Sequence, residues 1–130
     1  MRAAIVTTAE GKFRQTVRIG PHTLVADEPV ADQGTDAGPA PHEWLLAGLG
    51  ACTSMTVKMY ADRKGWPVER VEVTVEGVHE DGGFTMHRRV RVEGAGLTDE
   101  QRARLLEIAN KCPVHKTLSG PIRIKSELVP

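Results

Sequence analysis

The chain has 130 residues, which is the size of one domain, and 40% of them are apolar. Its 17 Lys and Arg residues balance 17 Asp and Glu residues, which is not typical of a nucleic-acid-binding protein or of an acidic disordered chain. The longest apolar run, Trp44 to Ala51, is too short to span a bilayer, and the N-terminal segment turns polar too early for a signal peptide. We therefore expect a single domain over residues 1–130 in the cytoplasm, with neither a nucleic-acid partner nor a membrane partner.

Three strands are predicted at the start of the chain. Ala3 to Thr8 is apolar and β-branched, and Lys12 to Ile19 alternates between polar and apolar residues. A Gly-Pro turn separates the second strand from His22 to Ala26. The following segment, Asp27 to Pro41, is rich in Pro, Gly and acidic residues, so it is predicted to be a long loop whose acidic side chains are solvated.

A long helix is predicted between Pro41, a favourable first helical residue, and Gly65, a favourable stop signal. Its apolar stripe contains Leu45, Leu49, Cys52, Thr56 and Met59. Because the first half is apolar around most of its circumference, we expect the helix to be buried in a core or an interface. A domain of this size has little sheet with which to cover such a helix, so we also expect a homodimer.

The second half of the chain predicts a hairpin, a helix and a final strand. Alternating residues flank the turn at Asp81, and Thr98 with Gln101 forms a capping box for a helix that Pro113 ends. Residues 122–128 alternate again and are predicted to form the last strand. The predicted order is βββ-α-ββ-α-β, an α+β fold with mostly antiparallel sheet and a long buried central helix.

Two cysteines lie on apolar helical faces, Cys52 on the long helix and Cys112 in the last turn of the second helix. They could be buried filler, since free cysteine is among the most buried residue types. They could instead be a redox pair, or they could bind zinc together with His115 and one more ligand.

For a redox pair, the helix dipole favours Cys52 as the attacking thiol, because the negative end of the second helix disfavours a thiolate at Cys112. Cys52 then needs a cation from elsewhere. The best candidates are the basic residues of the second strand, namely Lys12, Arg14 and Arg18.

Three stretches of the chain resemble the OsmC/Ohr family: Asp27-Glu-Pro, Gly38-Pro-Ala-Pro-His-Glu-Trp-Leu-Leu-Ala-Gly-Leu-Gly-Ala-Cys52-Thr, and Lys111-Cys112-Pro-Val-His-Lys-Thr-Leu118. The resemblance implies an intertwined homodimer with active sites at the subunit interface. It also implies a thiol-dependent, peroxiredoxin-like peroxidase that reduces organic hydroperoxides, and often hydrogen peroxide, in oxidative-stress defence. Cys52 matches the peroxidatic cysteine and Cys112 the resolving cysteine.

The same resemblance implies that an arginine of the N-terminal hairpin and a glutamate near the start of the central helix hold the thiolate. Arg14 is the first choice for the arginine. The position of the glutamate falls on His42, with Glu43 one residue further along, so either residue could orient the arginine. No bound cofactor or metal is implied, only an external thiol reductant, often a dihydrolipoyl group. The alternative is a non-enzymatic OsmC-like dimer that binds a small apolar thiol or thioester in its interface pocket.

Overall fold

The computed structural model describes all 130 residues, which form two compact units, Met1–Leu45 and Leu46–Pro130. The N-terminal unit contains an antiparallel three-stranded sheet of β1 (Ala4–Thr8), β2 (Gln15–Ile19) and β3 (His22–Ala26) in the order β1-β2-β3. The three predicted strands are confirmed. The second strand is shorter than predicted because the chain turns at Gly11, which has a φ of +92°, and the Ala9 N–H donates to the Arg14 carbonyl at 2.9 Å.

The loop after β3 is organised around a buried carboxylate. Asp27 is 3% exposed, and its oxygens accept hydrogen bonds from the Thr35 hydroxyl at 2.7 Å and from the backbone N–H groups of Glu28 and Ala37 at 2.8 and 3.1 Å. The Thr35 hydrogen bond outweighs burial and, together with the backbone donors, lowers the pKa of Asp27 to about 2. The prediction that this loop's acidic residues are solvated is therefore wrong for Asp27.

The central helix α1 spans Pro41–Lys64, as predicted, and Gly65 follows it with a φ of +67°. Its buried residues form one narrow row at four-residue spacing, containing Leu49, Thr53, Val57 and Ala61. Within the single chain the helix is therefore not buried nearly all round, and the predicted stripe is displaced from the observed one. Met55 and Met59 are 69% and 50% exposed because the chain's own sheet and helices cover the opposite face.

The C-terminal unit contains a regular β-hairpin of β4 (Arg70–Glu80) and β5 (Gly83–Glu93). Its two turn residues, Asp81 and Gly82, both have positive φ, which suits the twist of a tight hairpin. Opposite charges pair across the strands, with Glu76 and Arg89 2.7 Å apart.

Helix α2 (Asp99–Ala109) begins at the predicted capping box, in which Thr98 and Gln101 bond reciprocally. Its Leu105 and Ala109 join Val57 and Ala61 of α1 in the hydrophobic core. This core fixes α2 against the same row of α1 that carries Thr53, and it thereby positions the segment that follows α2.

The end of the chain differs from the predicted order. The second helix stops at Ala109, and Pro113 begins a third helix, α3 (Pro113–Ser119), because proline is well suited to a first helical position. The predicted last strand is absent, since residues 122–128 have no strand partner within this chain, and Ile124 is 86% exposed. The observed order is βββ-α-ββ-αα, still an α+β fold with antiparallel sheets. None of the helices is both long enough and apolar enough to cross a membrane.

Candidate functional site

The two cysteines meet in the C-terminal unit, although they are distant in sequence. Both are free thiols, and the Cys52 side chain lies close enough to Cys112 to lower the pKa of the Cys112 thiol. Cys52 is half-buried on α1, whereas Cys112 is fully buried. The structure thus brings together the pair that the sequence singles out.

Cys112 lies at the start of α3, not in the last turn of α2. It is the N-cap residue of α3, and its Sγ accepts a hydrogen bond from the His115 N–H at 3.3 Å. The argument from an unfavourable helix dipole at Cys112 is therefore wrong, because backbone donors of α3 point towards the sulfur. The dipole no longer favours Cys52 over Cys112 as the site of the thiolate.

Thr53 and Arg88 complete the surroundings of the Cys112 sulfur. The Thr53 Oγ1 is 3.6 Å from Cys112 Sγ and accepts a hydrogen bond from Arg88 Nη1 at 3.0 Å. The same Nη1 lies 4.0 Å from the sulfur. The other terminal nitrogen, Nη2, donates to Asn110 Oδ1 at 2.7 Å and lies 2.9 Å from His115 Nδ1. We call Cys112, Thr53, Arg88, Asn110 and His115 the thiol network.

The surroundings of Cys112 lower the pKa of its thiol below the ordinary value. Burial alone raises the pKa of this thiol, because a thiolate is poorly solvated in the protein interior. Hydrogen bonds from Thr53, from the His115 N–H and from the Cys52 thiol, together with the charge of Arg88, outweigh that effect. A thiol with a lowered pKa forms the nucleophilic thiolate more readily, which a buried filler cysteine does not require.

Sequence reasoning missed Arg88, and it named His115 only as a candidate zinc ligand. The signal for Arg88 is its position on β5, because the alternation of that strand places Met86, Arg88 and Val90 on one face. Met86 and Val90 are half-buried and apolar, so a charged residue between them stands at an inward position. A charged residue at an inward position requires partners, and the partners of Arg88 are the other members of the thiol network.

A cavity of about 390 Å³ adjoins the thiol network. Arg88, Asn110 and His115 belong both to its wall and to the network, whereas neither Cys52 nor Cys112 lines it. The remaining lining residues are mostly apolar, namely Leu49, Phe84, Met86, Leu106, Leu118 and Ser119. The cavity therefore combines an apolar surface with a few polar groups, as is usual for sites that bind small organic molecules.

The other predicted site residues lie in the N-terminal unit. Arg14 donates to Thr35 Oγ1 at 3.3 Å, and its buried Nε has no hydrogen-bond partner. Glu43 accepts from the Ala40 N–H at 2.7 Å, at the start of α1 next to the exposed His42. The roles of Arg14, Glu43 and His42 towards Cys52 stay predictions.

The other two basic candidates, Lys12 and Arg18, have exposed side chains, and Lys12 hydrogen-bonds to Gln33. The zinc alternative lacks a ligand set, since no group of three or more His, Cys, Asp or Glu residues is arranged to hold a metal ion.

Comparison with known proteins agrees with the fold and with the cysteine motifs. The family model described as OsmC-like protein matches residues 34–127. No curated protein sequence matches the chain significantly.

Several solved structures share the fold. An OsmC-like protein from Mycoplasma pneumoniae is 19% identical with a TM-score of 0.73, and the match covers 92% of this chain and 88% of that one. The organic hydroperoxide resistance protein OsmC from Legionella pneumophila is 19% identical with a TM-score of 0.68, covering 92% and 90%. The organic hydroperoxide resistance protein OhrB of Bacillus subtilis is 24% identical with a TM-score of 0.61, covering 91% of each chain.

Proposed function

Because the chain belongs to the OsmC-like family, we propose that it is a thiol-dependent peroxidase that reduces organic hydroperoxides, and hydrogen peroxide as a further substrate, through Cys52 and Cys112. The observation that carries the proposal is the contact between two free thiols, one of which has a lowered pKa. Two structural filler cysteines need neither the contact nor the charged partner. The hydroperoxide resistance proteins among the structures of the same fold are consistent with this chemistry.

The proposed reaction begins at Cys52, the more accessible of the two thiols. Its thiolate attacks the O–O bond of the hydroperoxide, giving a sulfenic acid on Cys52 and an alkoxide that is protonated to the alcohol. The Cys112 thiolate then attacks the sulfenic sulfur, so an S–S bond forms, the S–O bond breaks, and the released hydroxide is protonated to water. An external dithiol, for which a dihydrolipoyl group is the expected class, reopens the disulfide by exchange and is itself oxidised.

The cavity beside the thiol network, although neither cysteine lines it, has a composition that suits an organic hydroperoxide. Most of its wall is apolar, and Phe84 and Met86 contribute large side chains that can contact an alkyl or aryl group. The balanced charge of the chain also suits small uncharged substrates, which need no electrostatic steering.

We propose that the protein works as a homodimer. Met55 and Met59 form an exposed apolar face of α1, one turn apart, and large apolar side chains of this kind are enriched where two proteins meet. A second copy that covers this face would bury the part of α1 that the chain itself leaves open.

Thiol counting tests the peroxidase proposal, because the chain contains no cysteine besides Cys52 and Cys112. The reduced protein is mixed with cumene hydroperoxide or hydrogen peroxide, and free thiols are followed in the wild type, Cys52→Ser and Cys112→Ser, with the double variant as the blank. We expect both thiols to disappear in the wild type, and Cys112→Ser to accumulate a sulfenic acid on Cys52. If Cys52 reacts no faster than a model thiol, the protein is not a peroxidase, and the non-enzymatic binding of a small thiol or thioester becomes the better hypothesis.

A further inference from the structure

We infer that Arg88, acting through the Thr53 hydroxyl, is the positioning residue that holds Cys112 ready to attack Cys52. The attack of Cys112 on Cys52 rests on the proposed function. The effect of Arg88 on the Cys112 thiolate does not, because it concerns a single thiol. Arg88 stands out because it is the charged residue on the inward face of β5, and each of its terminal nitrogens is engaged by a different part of the chain.

The guanidinium is fixed on both sides. Arginine has only donors, so Asn110 Oδ1 and His115 Nδ1 both accept from Nη2, at 2.7 and 2.9 Å. The His115 ring therefore carries its proton on Nε2. With Nη2 held in this way, the planar fork directs Nη1 towards Thr53 and Cys112.

The Thr53 hydroxyl links Arg88 to the Cys112 sulfur by hydrogen bonds. Its hydroxyl carries one hydrogen, and two acceptors lie near it, the Leu49 carbonyl at 2.7 Å and Cys112 Sγ at 3.6 Å. When Cys112 is a thiol, the hydroxyl donates to Leu49, and the thiol can donate to Oγ1. When Cys112 is a thiolate, the hydroxyl rotates and donates to the sulfur, while Arg88 continues to donate to Oγ1. The Arg88 hydrogen bond polarises this hydroxyl and makes it a stronger donor to the thiolate.

This arrangement serves the step that closes the disulfide. The Cys112 thiolate is the group that must attack the sulfenic sulfur of Cys52; Cys112 is oxidised and the Cys52 sulfur is reduced as hydroxide leaves. The titratable and charged groups that face Cys112 come from three elements, namely Cys52 on α1, Arg88 on β5 and His115 on α3. Arg88 supplies the positive charge among them.

The test uses Cys52→Ser as the background, so that Cys112 is the single remaining thiol, and it requires no peroxidase activity. Ultraviolet absorbance of the thiolate is followed against pH in this background and after adding Arg88→Gln, Arg88→Lys or Thr53→Val. The double cysteine variant provides the blank that corrects for Tyr60. The matched control is Arg89→Gln, which removes the same charge from the next residue of β5, an exposed arginine paired with Glu76.

We expect Arg88→Gln to reduce the thiolate fraction at neutral pH about threefold to tenfold. Arg88→Lys keeps the charge but loses the fork, so its thiolate fraction falls between Arg88→Gln and the background. Thr53→Val lowers the fraction although the charge remains, and Arg89→Gln leaves it unchanged.

A titration of Arg88→Gln that coincides with that of Arg89→Gln overturns the inference. If Arg88→Gln does not fold, as judged by circular dichroism, Thr53→Val and Arg88→Lys decide the question in the same way. The outcome is separate from that of the peroxide test. If the Cys112 thiolate depends on Arg88 but the protein does not react with hydroperoxides, the proposed peroxidase is refuted and the role of Arg88 stands. If the protein reduces hydroperoxides but the Cys112 thiolate does not depend on Arg88, the peroxidase proposal stands and the role of Arg88 is refuted.

Discussion

Replacing Thr53 by valine measures how strongly the thiol network contributes to the stability of the C-terminal unit. The two side chains have nearly the same shape, so the change removes a hydroxyl without opening a cavity. Thr53 is fully buried, and its Oγ1 accepts from Arg88 at 3.0 Å and donates to Leu49 at 2.7 Å. A hydrogen bond to a charged group contributes about 1.5–3 kcal/mol and a neutral one about 0.5–1.5 kcal/mol. The added methyl group returns about 0.8 kcal/mol through burial, so we expect a net loss of about 1–4 kcal/mol.

Urea denaturation of the reduced protein measures this loss as a lower midpoint at an unchanged slope. The decisive control is a double-mutant cycle with Arg88→Gln, because Thr53→Val should cost less once its charged partner is gone, with a coupling of about 0.5–3 kcal/mol. Thr53→Ser keeps the hydroxyl and is the matched variant for the loss of the methyl group. Additive losses in the cycle, or a Thr53→Val protein as stable as the wild type, refute the reasoning.

Three further predictions concern other parts of the molecule. The pKa of Asp27 is about 2 in the folded protein, against an ordinary value of 3.8. The ionised Asp27 therefore contributes fully to stability above pH 3.8, and this contribution is lost as the pH falls through about 2. Circular dichroism during acid titration should show that Asp27→Asn lacks this pH dependence. Gly48→Ala should raise the free energy of unfolding by about 1 kcal/mol in urea denaturation, because no atom outside the helix backbone lies within 4 Å of the added Cβ. A loss of stability instead means that another molecule packs against Gly48. The hydrogen bond from Arg104 lowers the pKa of Tyr60, the one tyrosine in the chain, so Arg104→Gln should raise that pKa in an ultraviolet titration, and an unchanged titration contradicts the contact.

Local signals account for the elements that were predicted correctly. The capping box at Thr98, the tight turn at Asp81 and Gly82, and the proline and glycine that bound α1 each act within a few residues, so they can be identified without knowledge of the rest of the fold. The cysteine motifs are equally local. They indicate the family, and the structure then brings the two cysteines together.

The parts that could not be predicted depend on contacts between distant segments. Pro113 can end one helix or begin another, and only the packing of α2 through Leu105 and Ala109 decides that the chain turns before Cys112. The partners of Arg88 come from α1 and from the region around α3, so nothing near β5 in the sequence identifies them. Alternation on β5 could indicate only that this arginine needs a partner.

In the proposed reaction, the unequal burial of the two cysteines decides which sulfur of the disulfide an external reductant attacks. Cys112 is 0% exposed, while Cys52 is half-buried, so an external thiol reaches the disulfide from the side of Cys52. Cys112 is then the leaving group, and a thiol with a lowered pKa leaves faster in disulfide exchange. The same hydrogen bonds that prepare Cys112 as a nucleophile therefore also make it a good leaving group, and one network serves both the closing and the reopening of the bond.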